Sequence, residues 1–170
     1  MSKPHIALIG FMAAGKTTIG RRLAQELKLP FVDTDEAIVG RHGSIAQLFT
    51  RYGEAGFRER EFAAVRAALD GPPSVIALGG GAVTYGPTHD LVAGLAVRVY
   101  LDVPLETLVT RLRRSRRVRP VVGKSPTPQR VRALLEERAP LYREAEIVVQ
   151  GGRGSQLELA REIAELVKAR

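Results

Sequence analysis

Gly10-Phe11-Met12-Ala13-Ala14-Gly15-Lys16-Thr17 decides the fold. The stretch fits G-x-x-x-x-G-K-[ST], and its surroundings fit as well. An apolar run, Ile6–Ile9, precedes it, and Ile19, Leu23 and Leu27 recur behind it at helical spacing. Glycines let the backbone curl so that successive N–H groups point at phosphate oxygens, and the helix that starts here adds its positive end. Lys16 supplies a mobile cation for the β- and γ-phosphates. The Thr17 hydroxyl is a hard oxygen ligand for Mg²⁺. The expected nucleotide contacts are Ala13, Ala14, Gly15, Lys16, Thr17 and Thr18, and the expected cofactors are ATP and Mg²⁺. The alternative, a glycine-rich turn that happens to contain Lys-Thr, lacks a reason for the flanking strand and helix.

Outward from this loop, further apolar runs read as buried parallel strands: Phe31–Val32, Val75–Leu78, Val97–Leu101 and Ile147–Val149. Helical periodicity recurs at Leu105, Leu108, Val109 and Leu112, and at Leu159, Ile163, Leu166 and Val167. Ser44 with Gln47 and Ser155 with Glu158 read as capping boxes. Thr127 followed by Pro128 reads as N-cap and first helical residue. Strands alternating with helices imply a five-stranded parallel sheet in a three-layer α/β sandwich. The 170 residues make one domain, with no linker or internal repeat. A lid is expected at about residues 113–126, where Arg, Ser, Gly and Pro gather with little periodicity.

Composition narrows the function. Net charge is +8, which suits anionic partners, and six arginines fall between Arg111 and Arg119. No cysteine is present, which excludes thiol catalysis and cysteine–zinc sites. No asparagine is present either, so the Asn-Lys-x-Asp element that reads guanine is missing. Motors and helicases need more chain. A small-molecule kinase with an arginine-rich lid is favoured. A non-catalytic nucleic-acid module is disfavoured by 5% aromatic content and the lack of Trp, which leave few stacking platforms. No apolar run nears the roughly 20 residues of a membrane span, and none suits a signal-peptide core, so a cytoplasmic location is expected.

Three further motifs bear on the acceptor. Asp33-Thr34-Asp35 closes the second strand, and alternation there would aim both carboxylates into one crevice. One would serve the magnesium shell and the other an acceptor hydroxyl, although either also suits a helix N-cap. Gly79-Gly80-Gly81 ends the third strand and lets a ligand approach the backbone. Arg58 and Arg138 offer forks that match a carboxylate, although charge pattern alone favours solvated helix positions.

Taken in order, Gly10–Thr17, Asp33-Thr34-Asp35, Phe57-Arg58, Gly79-Gly80-Gly81, Arg119-Pro120 and Arg138-Ala139-Pro140-Leu141-Tyr142 resemble the shikimate kinase family over essentially the whole chain. The resemblance implies the nucleoside monophosphate kinase fold with strand order 2-3-1-4-5. It also implies transfer of the ATP γ-phosphate to the 3-hydroxyl of shikimate, in aromatic amino-acid biosynthesis, by a monomer with no nucleic-acid or membrane partner. By that resemblance Lys16, Asp35 and Arg119 are catalytic, and Arg119 also contacts the nucleotide. Asp35, Arg58, Gly80, Gly81 and Arg138 bind shikimate within a region of about residues 34–62 and its partners. Thr17 and, through water, Asp33 hold the metal. Phe49 and Phe57 wall the pocket, and Glu61 holds Arg58. The family usually has an arginine beneath the adenine, on the helix entering the lid. An ungapped count back from Arg119 puts Leu112 there, so the adenine contact is left unassigned, with Arg111 and Arg113 beside it. Another small-metabolite kinase of this fold, such as a gluconate kinase, is the alternative.

Overall fold

The computed structural model describes residues 3–170; Met1 and Ser2 lie outside them. The apolar runs form five strands: β1 His5–Ile9, β2 Phe31–Asp33, β3 Val75–Ala77, β4 Ala96–Asp102 and β5 Ile147–Gln150. All pair in parallel, in the order β2-β3-β1-β4-β5, as the resemblance implied. β1 is central and buried along its whole length, which is why it reads as an unbroken apolar run.

Among the described residues seven α-helices accompany the strands: α1 Lys16–Leu27, α2 Thr34–His42, α3 Ile45–Leu69, α4 Gly86–Leu95, α5 Leu105–Arg114, α6 Pro128–Tyr142 and, after the last strand, α7 Gln156–Lys168. α1 packs on α7 and on β3, and α4 packs on β4 and α3. One large core spans the sheet and its helices. A second, small core of Ile38, Leu48 and Phe57 joins α2 to α3, with Phe49 against it. α3 is interrupted at Gly53, whose φ of 69° breaks the helical path.

The register matters most for function. Asp33 pairs with Ala77, and Ala77 pairs with Leu8. The carboxyl ends of three adjacent strands therefore stop in one row. The phosphate loop, Asp33 and the triple glycine all emerge at the same edge of the sheet, where ligands of open α/β sheets bind.

Several local expectations need correcting. Asp35 is not a strand residue. The chain turns into α2 at Thr34, and Asp35 lies in its first turn, so strand alternation is not what brings it to the crevice. Ser44 begins α3 without a side-chain cap, and the Ser155 hydroxyl accepts from Leu157 N–H (3.2 Å) instead of the third helical residue. Thr127 does cap α6, accepting from Arg130 N–H (3.2 Å). Leu166 is 41% exposed, because α7 turns it away from the core that holds Leu159 and Ile163. The lid region begins as helix: α5 runs to Arg114, and residues 115–127 follow it, closed by a bridge between Arg119 and Gly123.

α1 touches the sheet where Gly20 meets Phe31 and Leu8. A Cβ at Gly20 would sit 2.5 Å from Phe31 Cε2 and 3.1 Å from Leu8 Cδ1. Gly20→Ala should therefore destabilise the chain. Overpacking of about 1–3 kcal/mol exceeds the roughly 1 kcal/mol gained in helix propensity. Thermal unfolding checks this, and a raised midpoint would mean the helix is not packed this closely.

Candidate active site

The loop after β1 curls as its glycines allow. Gly10 and Gly15 have φ of 143° and 99°, and Ala13 also takes the left-handed region at 63°. Ala14 N–H donates to Phe11 O (3.2 Å), closing the turn. α1 then starts at Lys16 with no side-chain cap and no acidic residue in its first turn. Its first N–H groups therefore lack side-chain partners, the arrangement that receives an anion. Lys16 is buried, and its ammonium donates to the carbonyls of Gly10 (2.7 Å) and Phe11 (2.9 Å). Burial lowers its pKa to about 8, although Asp35 and Asp33 work in the opposite direction.

Asp33 serves two ends. One carboxylate oxygen accepts from Glu36 N–H (3.1 Å), capping α2, and the other accepts from the Thr17 hydroxyl (2.5 Å). Both readings of Asp33, cap and neighbour of the phosphate loop, therefore hold together. Asp35 lines two adjoining cavities. One of about 360 Å³ runs along the phosphate loop, and one of about 720 Å³ lies beside it. Burial raises the Asp35 pKa and the Asp33 charge adds to the rise, while Lys16, Arg117 and Arg58 oppose it.

The larger cavity is walled by Phe49, Phe57, Arg58, Glu61, the three glycines and Arg138. Phe49 and Phe57 lie with ring centroids 4.5 Å apart. Arg58 is buried and bound on both sides, by Glu61 (2.5 Å) and Glu54 (3.2 Å). Burial pushes the Glu61 carboxyl up, and the Arg58 guanidinium opposes that rise. Arg138 is buried across the cavity, with its guanidinium carbon 5.8 Å from the centre of the Phe11 ring. Arg58 Nε and Arg138 Nη1 are buried donors with no partner among the described residues.

The glycines are spaced by these walls. A Cβ on Gly79 would overlap Glu61 Oε1 and come within 2.9 Å of Asp35 Oδ1. On Gly80 it would stand 2.9 Å from Met12 N, and on Gly81 it would overlap Arg58 and reach 3.0 Å from Arg138 Nη2. The turn thus admits no side chain toward either substrate half.

The structure therefore gathers Lys16, Thr17, Asp33, Asp35, Arg58, Gly80, Gly81, Arg119 and Arg138 around two joined cavities, with Ala13, Ala14, Gly15 and Thr18 along the smaller one. Arg119 lines both, and its Nη1 donates to Ser115 Oγ (3.0 Å). Burial and the neighbouring charge of Arg117 both work against its positive charge.

Some residues escaped the sequence reading. Leu112 is buried in the core, whereas Arg111 reaches the phosphate loop, donating to Ala13 O (3.0 Å) and Ala14 O (3.2 Å). A helix turns by 100° per residue, so Arg111 faces the loop while Leu112 faces the core. Arg117 lines both cavities, like Arg119, and its place in the arginine run was the only signal. Thr34, between the two aspartates, is fully buried. Its hydroxyl donates to Ala77 O (3.3 Å) and accepts from Gly79 N–H (3.3 Å), tying β2 to the glycine turn.

Comparison with known proteins agrees with this geometry. The family model described as shikimate kinase matches residues 12–168. The shikimate kinase of Halorhodospira halophila is 42% identical over 166 residues, covering 96% of this chain and 93% of its own length. The structure of shikimate kinase from Acinetobacter baumannii in complex with shikimate superposes with a TM-score of 0.92 at 37% identity, covering 99% of this chain and 94% of that one. A gluconokinase from Sinorhizobium meliloti, at 15% identity and a TM-score of 0.65, shares the fold alone. The chain belongs to the shikimate kinase family.

Proposed function

We propose that this ATP-dependent kinase passes the γ-phosphate of ATP to the 3-hydroxyl of shikimate, yielding shikimate 3-phosphate and ADP. The observation that carries the reading is the pair of buried guanidinium side chains, Arg58 and Arg138, that line the cavity beside the phosphate loop. A buried guanidinium left short of partners costs about 1–3 kcal/mol or more, and a planar carboxylate is the group that such forks match. A gluconate kinase would share the loop and an acidic pocket, but its likeness stops at the fold.

Each residue then has a task. The amides from Ala13 to Thr18 and the start of α1 cradle the phosphates, and Lys16 swings from the Gly10 and Phe11 carbonyls to the β- and γ-phosphates. Thr17 and Asp33 form a hydroxyl–carboxylate pair of hard oxygens, a donor set that fits Mg²⁺, which takes one or two protein oxygens along with water and phosphate. Bound there by Thr17 and, through water, by Asp33, Mg²⁺ would neutralise charge on the β- and γ-phosphates. Arg111, fixed on the loop's outer side near Gln156, takes the adenine end. Arg58 and Arg138 hold the shikimate carboxylate, and Gly80 and Gly81 admit the ring against the backbone. Asp35 orients the attacking hydroxyl and accepts its proton.

Phosphoryl transfer asks chiefly for alignment and charge compensation. Lys16 and Arg119 meet the charge spread over the equatorial oxygens. The lid, about residues 113–126, brings Arg119 down and keeps out water that would otherwise take the phosphoryl group. A monomer acting in the cytoplasm fits this reading. No helix among the described residues is long and apolar enough to cross a membrane.

ADP release by the purified chain should depend on shikimate, and release stimulated by gluconate instead would overturn the assignment. Asp35→Asn should lower kcat by about 100-fold or more with shikimate saturating. Arg138→Ala should raise the KM for shikimate by about 10- to 100-fold and that for ATP far less. Near-normal turnover in the first variant, or an unchanged shikimate KM in the second, would refute the corresponding role.

Titration gives a further expectation. Lys16 in this structure loses its proton near a pH of about 8. A bound triphosphate favours the charged ammonium, so ATP binding at pH 9 should draw up to one proton from solution and binding at pH 7 almost none. Calorimetry in buffers of different ionisation heat reads this directly, and equal uptake at both pH values would show that Lys16 does not titrate there. Asp35 must be ionised to accept a proton. Its raised pKa therefore places the acid limb of kcat/KM above the range of an ordinary carboxylate.

A further inference from the structure

The glycine turn has no side chains of its own, so its hydrogen bonds must hold it. Gly79 O accepts from Ala82 N–H (3.1 Å), and Gly81 O accepts from Thr84 N–H (3.0 Å) and Thr84 Oγ1 (2.6 Å). The middle carbonyl, Gly80 O, accepts from the Tyr142 hydroxyl, which comes from a distant part of the chain. Tyr142 is the last residue of α6, one helical turn beyond Arg138 and on the same face. It is fully buried, and its ring stacks on Tyr100 with centroids 5.2 Å apart. The Tyr100 hydroxyl instead turns to Asp102 (3.2 Å). A buried phenol costs free energy unless its hydroxyl finds a partner, so a stacking ring alone would be served by Phe.

We propose that the Tyr142 hydroxyl is a positioning group for acceptor recognition: through Gly80 O it sets the Gly80–Gly81 peptide against Arg138, and so fixes the mouth into which the acceptor carboxylate fits. The proposal rests on the functional reading above. Three consecutive glycines have the widest backbone freedom of any tripeptide, so a turn released at its middle carbonyl samples other peptide orientations. Gly81 also lies between the Arg58 and Arg138 guanidiniums, where small backbone shifts change the space left for a carboxylate. Burial pushes the Tyr142 phenol up to about 12, so it stays a donor across the working range. Gly81, Arg58 and Arg138 line the larger cavity and not the smaller one, where Arg111 and Gln156 lie.

The test compares Tyr142→Phe with Tyr100→Phe in the full chain. Both keep the ring stack, and each removes one hydroxyl. Tyr142→Phe should raise the KM for shikimate about tenfold, leave the KM for ATP within twofold, and reduce discrimination between shikimate and its carboxamide. Tyr100→Phe should leave all three unchanged. KM does not depend on the fraction of active protein, so partial misfolding cannot imitate this split. A shikimate KM within twofold of the unmodified chain, or equal rises in both KM values, overturns the proposal. A Tyr142→Phe chain without native circular dichroism overturns it too, since the hydroxyl would then serve the whole fold. Absence of shikimate-dependent ADP release in the unmodified chain sinks the functional reading itself. Normal release there with an unshifted Tyr142→Phe sinks only the positioning role.

Discussion

The closeness of the triple-glycine turn to everything around it governs this structure. Gly79 touches the groups of Glu61 and Asp35, Gly80 touches the backbone of Met12 in the phosphate loop, and Gly81 lies between two guanidiniums. A parallel sheet brings three strand ends to one row, but only residues without side chains let the loops beyond them meet. The phosphate loop and the acceptor pocket are thereby held at contact distance. Phosphoryl transfer needs the two reactants in line and nearly touching, and here the backbone supplies that proximity before either ligand arrives.

Charge is concentrated against the same backbone. Lys16, Arg58 and Arg138 are all buried, as is Glu61, and Arg117 and Arg119 overlook them from the lid. Burial lowers the pKa of Lys16 and raises those of Asp35 and Glu61. Two of these cations have opposite neighbours, Glu61 for Arg58, and Asp35 and Asp33 for Lys16, while Arg138 makes no ion pair among the described residues. The cations outnumber the carboxylates around the cavities, which suits a site that receives a triphosphate and an acid together.

Much of this was legible in the residues. Ile6–Ile9 followed by a glycine-rich turn and Lys16-Thr17 identified β1, the phosphate loop and α1, because the pattern and the geometry have one cause. The order of the motifs anticipated the sheet and the family. The exact placement of Asp35 was not legible, since a strand of three residues followed at once by a helix carries too short a pattern to reveal the change of period. α4 gave no signal, as Gly86-Pro87 reads locally as a turn. Arg111 was named beside the counted position without a role, since a count of residues does not show which face of a helix meets the loop. Tyr142 stood within a quoted motif, but its bond spans 62 residues of sequence, and no local pattern reports such a partner.

The bare beginning of α1 has a consequence for the whole molecule. Gly15 brings no capping oxygen, and the first turn carries no acidic side chain. α2, α6 and α7 satisfy such amides with a capping side chain, but at α1 a polyphosphate is the natural cap. The nucleotide is then part of what holds the domain folded. Linkage makes that contribution grow with free ligand, about 4 kcal/mol at a thousandfold excess over Kd. Chain bathed in nucleotide should resist heat and proteolysis better than the same chain after dialysis, with catalysis playing no part in the difference.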